Sequence, residues 1–275
     1  MPTRPRSAPR ALHRNNVTVT GVADGPVVVF SHGFGCDQAV WRHVAPAFEG
    51  DHRVVCFDHV GAGGSDLDAF SPRRYGRLEG YASDVVEVLE ALDARDALFV
   101  GHSVSAMIGV LAAAAAPDRI GRLVLVGPSP RYVDDEGYVG GFARDEVDEL
   151  LAALQMNYLG WSSTMAPVIM GRPDRPELGD ELTASFCRTD PAIAEHFARV
   201  TFLSDNREDL ARVTAPTLVL QCADDALAPA HVGAYVAERM PGARLVRMAA
   251  RGHCPHLSAP DETVAAIRAF VAAGA

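Results

Sequence analysis

Short β-branched runs recur along this chain at Val17-Thr20, Val27-Ser31, Arg53-Phe57, Leu98-Val100, Leu123-Val126, Thr217-Gln221 and Arg244-Met248, and no other feature constrains the fold as strongly. Most are almost continuously apolar rather than alternating, the pattern of strands buried on both faces of a parallel sheet. Helical patterns lie between them at Tyr81-Ala94, Val104-Ala116, His231-Met240 and Thr263-Ala272. Strand and helix alternate, so the expected class is α/β, a mostly parallel central sheet flanked by helices. The alternation lapses between Pro128 and Thr214, where amphipathic segments such as Asp145-Asn157 and Pro191-Leu203 follow with no strand between them. An inserted helical lid accounts for the gap. The expected organisation is a core of residues 15–127 and 215–275, a lid over 128–214, and a flexible N-terminal lead-in over 1–14.

Composition narrows the chemistry. A chain of 275 residues, 48% of them hydrophobic, is long enough to bury one large core. Its net charge of −10 argues against nucleic acid or an anionic membrane surface as partner, since both demand clustered cations. All 25 basic residues are arginine, so Schiff-base and Ser-Lys mechanisms are excluded. The odd set of cysteines, Cys36, Cys56, Cys187, Cys222 and Cys254, is widely spaced and contains no C-x-x-C pair; reduced thiols are expected rather than a disulfide framework or zinc site. The histidines show no H-E-x-x-H spacing, so no metal and no cofactor are expected. The arginine-bearing N-terminus lacks the apolar stretch of a secretory signal, and no run approaches the ~20 apolar residues of a membrane span. A cytoplasmic protein is expected.

One serine stands where strand passes into helix. In Gly101-His102-Ser103-Val104-Ser105 the chain must reverse sharply between an apolar β-prone run and an alanine-rich helical one, as in a G-x-S-x-G nucleophile elbow, with Ser105 at the fifth position in place of glycine. A serine hydroxyl needs a base and an orienting carboxylate. Both follow in the chain, each after a predicted strand: Asp224 and Asp225 after Gln221, then His253 and His256 in Arg251-Gly252-His253-Cys254-Pro255-His256. Gly252 gives His253 the freedom to reach the serine; His256 is the second candidate base, and a loop hydrogen-bonder is the other role open to it. Either carboxylate of the Asp224-Asp225 pair could turn inward; a helix N-terminal carboxylate is the other role open to Asp224. Donors for an oxyanion are expected from the backbone N–H groups of Phe34, in His32-Gly33-Phe34-Gly35, and of Val104. His32 reads as a buried hydrogen-bonder rather than a base. The glycine-rich stretch Phe57-Asp66 lacks the lysine and spacing of a phosphate loop and reads as a tight turn held by Asp58.

The order Ser, Asp, His is that of α/β-hydrolases, and the elbow Gly101-His102-Ser103-Val104-Ser105-Ala106-Met107-Ile108-Gly109 resembles one group among them: the bacterial RsbQ-type regulator of the sigma-B stress response, with the plant karrikin and strigolactone receptors. The likeness continues through His32 to Gln38, Val60 to Asp66, Val126 to Tyr132, Gly140-Gly141-Phe142, Ser204 to Leu210 and Arg251 to Pro260. The resemblance implies an α/β-hydrolase fold with a four-helix lid, a triad of Ser103, Asp225 and His253, and oxyanion amides on Phe34 and Val104. It also implies a small apolar pocket to which Phe142, Trp161, Met165 and Phe202 contribute. The activity expected from it is hydrolysis of a small, largely apolar ester or lactone through an acyl-enzyme. The alternative is a ligand-sensing signalling hydrolase that binds or slowly hydrolyses a small molecule and engages a protein partner, in the bacterial case a PAS-containing phosphatase. A serine at the elbow excludes the dehalogenase and epoxide hydrolase chemistries, which use a carboxylate there.

Overall fold

The computed structural model describes residues 8–274. Its sheet contains β1 (Thr18–Gly21), β2 (Val27–Ser31), β3 (Arg53–Phe57), β4 (Ala97–His102), β5 (Ile120–Val126), β6 (Thr217–Gln221) and β7 (Ala243–Arg247) in the order β1-β3-β2-β4-β5-β6-β7. Among the described residues only β1 runs antiparallel. The helices are α1 (Ala8–Arg14), α2 (Leu78–Ala91), α3 (Val104–Ala115), α4 (Arg144–Met156), α5 (Tyr158–Met170), α6 (Pro176–Phe186), α7 (Pro191–Phe202), α8 (Ala230–Arg239), α9 (Pro255–Ser258) and α10 (Pro260–Ala273).

Strand periodicity sorts the core into two layers. Val28, Phe30, Val100, Val124 and Leu220 face one side, packing against α10 and the helices between β5 and β6, whereas Val29, Phe99, Leu123, Leu125 and Val219 face α2 and α3. The run of strands buried on both faces holds for the centre of the sheet. At the edges it does not: β1 is exposed along its length and β7 nearly so, because each has a strand neighbour on one side only.

Four helices, α4 to α7, occupy the interval without strands. Their boundaries are written in local chemistry. Asp190 caps α7 by accepting from the amides of Ala192 and Ile193, with Pro191 at the first helical position, and Asn157 caps α5, which ends at the left-handed Gly171.

The flexible lead-in needs correction where the structure describes it; its residues 1–7 lie outside the described set. Residues 8–14 form α1, which packs against α2. Arg14 pairs with Asp84 at 2.9 Å and with Glu87 at 2.7 Å, and Asp84 is wholly buried. Burial raises the Asp84 carboxyl pKa and the arginines beside it oppose that rise. A charge so enclosed ties the helix down.

Strand order also creates a crevice at one end of the sheet. From β2 the chain passes to β3 on one side, and β4 lies on the other, so the carboxyl ends of β2 and β4 flank a topological switch point, where open α/β sheets collect their ligands.

Candidate active site

Ser103 sits at the end of β4 with φ 57° and ψ −123°, a conformation that L-residues rarely adopt. Its amide donates to the Val126 carbonyl at 2.9 Å. A Cβ on Gly101 would run into the Ser105 carbonyl, so the strand and helix meet this closely only because residue 101 has none. The strained serine thus projects its hydroxyl at the mouth of the sheet.

His253 reaches it from the far end of the chain. Its Nε2 lies 2.7 Å from Ser103 Oγ and its Nδ1 lies 2.8 Å from Asp225 Oδ2. Asp225 Oδ1 accepts from the amides of Leu227 at 2.9 Å and Ala228 at 3.0 Å, fixing the carboxylate after β6. The pair of adjacent acids is therefore resolved: Asp225 turns inward, and Asp224 makes a surface ion pair with Arg251 at 2.7 Å. The expected role of Asp224 as a helix N-terminal carboxylate is not what the fold gives it. Gly252, at φ +81°, lies against the α5 end so closely that a Cβ would strike the Met170 carbonyl, and the His253 amide donates to the Ile169 carbonyl at 2.9 Å.

His256 also departs from expectation. It is fully buried, packs at a tilt against Trp41 with centroids 4.6 Å apart and against His102 at 4.4 Å, and neither ring nitrogen has a partner among the described residues. Burial, with smaller contributions from His253 and Arg42, pushes its pKa down to about 3. It is a neutral packing ring rather than a loop hydrogen-bonder. His32 behaves as read: Nδ1 lies 2.9 Å from the Gly33 carbonyl, and Nε2 accepts from the His59 amide at 3.1 Å. Asp58 holds its glycine turn, accepting from the Gly64 amide at 2.9 Å and the Gln38 amide at 2.8 Å.

The loop after β2 comes close to the elbow. A Cβ on Gly33 would lie 2.7 Å from His102 Nδ1 and 3.3 Å from the Ser103 Cβ, which brings the Phe34 backbone beside Ser103. Val104 opens α3, so its amide is among the helix's free N-terminal donors. Neither the Phe34 nor the Val104 amide donates to another backbone group among the described residues.

A cleft with ≈ 410 Å³ of atom-free space, counting the part open to solvent, lies over Ser103 and His253. Trp161 and Phe202 line it as expected; Phe142 and Met165 do not. Phe142 is held at the foot of the insertion, bridged to Val133 with its amide donating to the Tyr132 carbonyl at 3.2 Å. Met165 is half-buried on α5, and beside Trp161 the wall is completed instead by Phe186 of the neighbouring α6, stacked at 5.9 Å and 15°. Sequence reasoning missed Phe186, Tyr132, Ile169, Leu182 and Leu227. The available signal was Tyr132's place just past the end of β5, at the mouth of the sheet; nothing in the periodicity of α6 singles out Phe186. Burial raises the Tyr132 phenol and the Cys36 thiol to about 12, and the Cys254 thiol well above its ordinary value, so these lining groups stay protonated. A hydroxyl, an imidazole and a carboxylate in one hydrogen-bonded line, beside free amides, is an arrangement able to move a proton and to meet a developing oxyanion.

Comparison with known proteins agrees with this architecture. A family model described as the alpha/beta hydrolase family matches residues 28–266. The chain is 39% identical to karrikin insensitive 2 receptor CA of Petunia hybrida over 91% of its length and 93% of the relative. It is 38% identical to strigolactone esterase RMS3 of Pisum sativum, over 90% and 92%. A solved hydrolase from Oleispira antarctica superposes with a TM-score of 0.93 at 42% identity, covering 96% of this chain and 97% of that one. The fold, the elbow and this breadth of likeness lead to one assignment: the chain belongs to the alpha/beta hydrolase family.

Proposed function

We propose that this protein is a cofactor-free serine hydrolase that cleaves small, largely apolar esters or lactones. The observation that carries the reading is the continuous line Ser103–His253–Asp225, at 2.7 Å and 2.8 Å. His253 takes the Ser103 proton as Oγ attacks the carbonyl carbon, then returns it to the leaving alkoxide; a water follows the same route to release the acyl group. Asp225 holds the proton of His253 on Nδ1, leaving Nε2 as the base. The amides of Phe34 and Val104 receive the oxyanion. Helices α4 to α7, within residues 128–214, act as a lid whose aromatic side chains restrict the cleft to compact apolar acyl or lactone groups. Ser103→Ala is expected to abolish turnover of 4-nitrophenyl acetate and labelling by a fluorophosphonate; full activity in that variant overturns the reading.

A second reading has its own support. Relatives that align over nearly the whole chain include one whose name is a receptor's as well as one whose name is an esterase's. On this reading the same site binds or slowly turns over a ligand and the protein then engages a partner. On the RsbQ-type likeness of the elbow and the segments noted with it, that partner is a PAS-containing phosphatase; a cytoplasmic setting is a separate part of the proposal. Slow turnover together with a ligand-dependent rise in Tm selects the receptor; rapid turnover without a partner in pull-down selects the enzyme.

A further inference from the structure

The departure from glycine at the fifth elbow position places a hydroxyl at a junction of three loops. Ser105 is fully buried. Its Oγ donates to the His32 carbonyl at 2.5 Å, accepts from Ser31 Oγ at 2.9 Å, and lies 2.7 Å from His59 Nε2, which is also 3.1 Å from Ser31 Oγ. With its one proton committed to His32, Ser105 is an acceptor toward His59. The proton of that imidazole is therefore assigned to Nε2, in keeping with an Nδ1 that has no partner among the described residues. Ser105 thus uses its donor and both lone pairs. His59 is otherwise surrounded by the rings of Phe57, Tyr81 and Phe197, with centroids 5.3, 5.6 and 6.1 Å away, and its backbone amide donates to His32 Nε2 at 3.1 Å.

We infer that Ser105, seated by His59, is a positioning residue that holds the two oxyanion amides in one frame. This rests on the proposed role of Ser103. The β2–β4 ladder ends at the Ser31–Gly101 pair. Beyond it the two elements diverge, one carrying the Phe34 amide two residues past His32 and the other carrying the Val104 amide next to Ser105. The Ser105–His32 hydrogen bond closes that gap with side-chain chemistry. His32 adds the last link, because its Nδ1–H donates to the Gly33 carbonyl, and the planar peptide that bears this carbonyl also bears the Phe34 N–H. An oxyanion site loses much of its effect when a donor is displaced by a fraction of an ångström.

The test compares wild type with Ser105→Ala, His59→Phe and His59→Gln, the last restoring an amide donor. For Ser105→Ala, kcat on 4-nitrophenyl acetate should fall about 10- to 100-fold, less than the loss of a whole donor, with KM within about two-fold. The inhibition constant of an aryl trifluoromethyl ketone, which forms a tetrahedral adduct, should rise by the same factor. His59→Phe should shift both in the same direction and His59→Gln recover most of the loss, a pattern that simple destabilisation would not produce. Hydrogen exchange of the 31–36 segment should accelerate in Ser105→Ala and His59→Phe, and this readout needs no turnover. Unchanged exchange in both variants, or a kcat and ketone affinity equal to those of an active wild type, overturns the inference. An inactive wild type whose exchange still accelerates on substitution sustains the pin and refutes the esterase reading instead. Should Ser105→Ala fail to fold, the exchange rates and kcat of the two His59 variants decide between the same outcomes.

Discussion

Asp225→Asn separates orientation from packing at this site. The two oxygens of Asp225 have different partners: Oδ1 accepts from the amides of Leu227 and Ala228, while Oδ2 faces His253 Nδ1 at 2.8 Å. An asparagine must keep its oxygen on the two amides, because turning its NH₂ toward them would set donors against donors in a buried site. Its NH₂ then faces His253 and forces that ring to carry its proton on Nε2. The hydrogen bond to Ser103 remains possible, but the ring can no longer accept the serine proton. The expected loss is about 10³- to 10⁴-fold in kcat, or roughly 4 to 5.5 kcal/mol in the barrier. KM should stay within about three-fold, since Asp225 does not line the cleft. Steady-state hydrolysis of 4-nitrophenyl acetate measures both, and Tm should change little because both amides keep an acceptor. Asp225→Ala, by contrast, should also lower stability by about 1–3 kcal/mol for each amide left unpaired. A kcat for Asp225→Asn within about ten-fold of wild type, in a variant that folds normally, would refute the tautomer reasoning.

The buried His256 ring predicts acid sensitivity of a particular sign. His256 titrates near 6.5 when unfolded and at about 3 when folded, so the unfolded chain binds more protons between those values and stability falls as pH drops through them. His256→Phe should flatten the decline of unfolding free energy by up to about 1.4 kcal/mol per pH unit between roughly pH 6.5 and 4, as read by urea titrations; a slope equal to wild type's would show that the ring is not held neutral. Phe186→Ala should open the cleft beside Trp161, raising the ratio of kcat/KM for butyrate over acetate esters about 10-fold while lowering stability by about 3–5 kcal/mol. An unchanged acyl preference would place the substrate elsewhere.

Much of this molecule can be read along the chain because strands buried on both faces are apolar regardless of their neighbours, and an elbow requires small residues in a fixed local pattern. The α/β class, the helical interval between β5 and β6, Ser103 after one strand and His253 after another all follow from contacts within a few residues. Local sequence says less where a choice depends on what approaches from a distance. Asp224 and Asp225 are chemically equivalent neighbours; the amides of Leu227 and Ala228 and the position of His253 distinguish them. The exposure of β1 and β7 follows from strand order, which periodicity does not encode. The docking of Ala8–Arg14 hangs on a buried carboxylate, Asp84, far along the chain. Phe142 and Met165 have the character of pocket residues, but the packing of α6 and of the segment that follows β5 puts Phe186 and Tyr132 in the wall instead. Even the hydroxyl of Ser105 reads in sequence merely as a small side chain where glycine is usual. Local chemistry in the chain specifies which groups are present and in what order; the long-range packing of the sheet and of helices α4 to α7 decides which of them meet, because only the folded chain brings their partners within bonding distance.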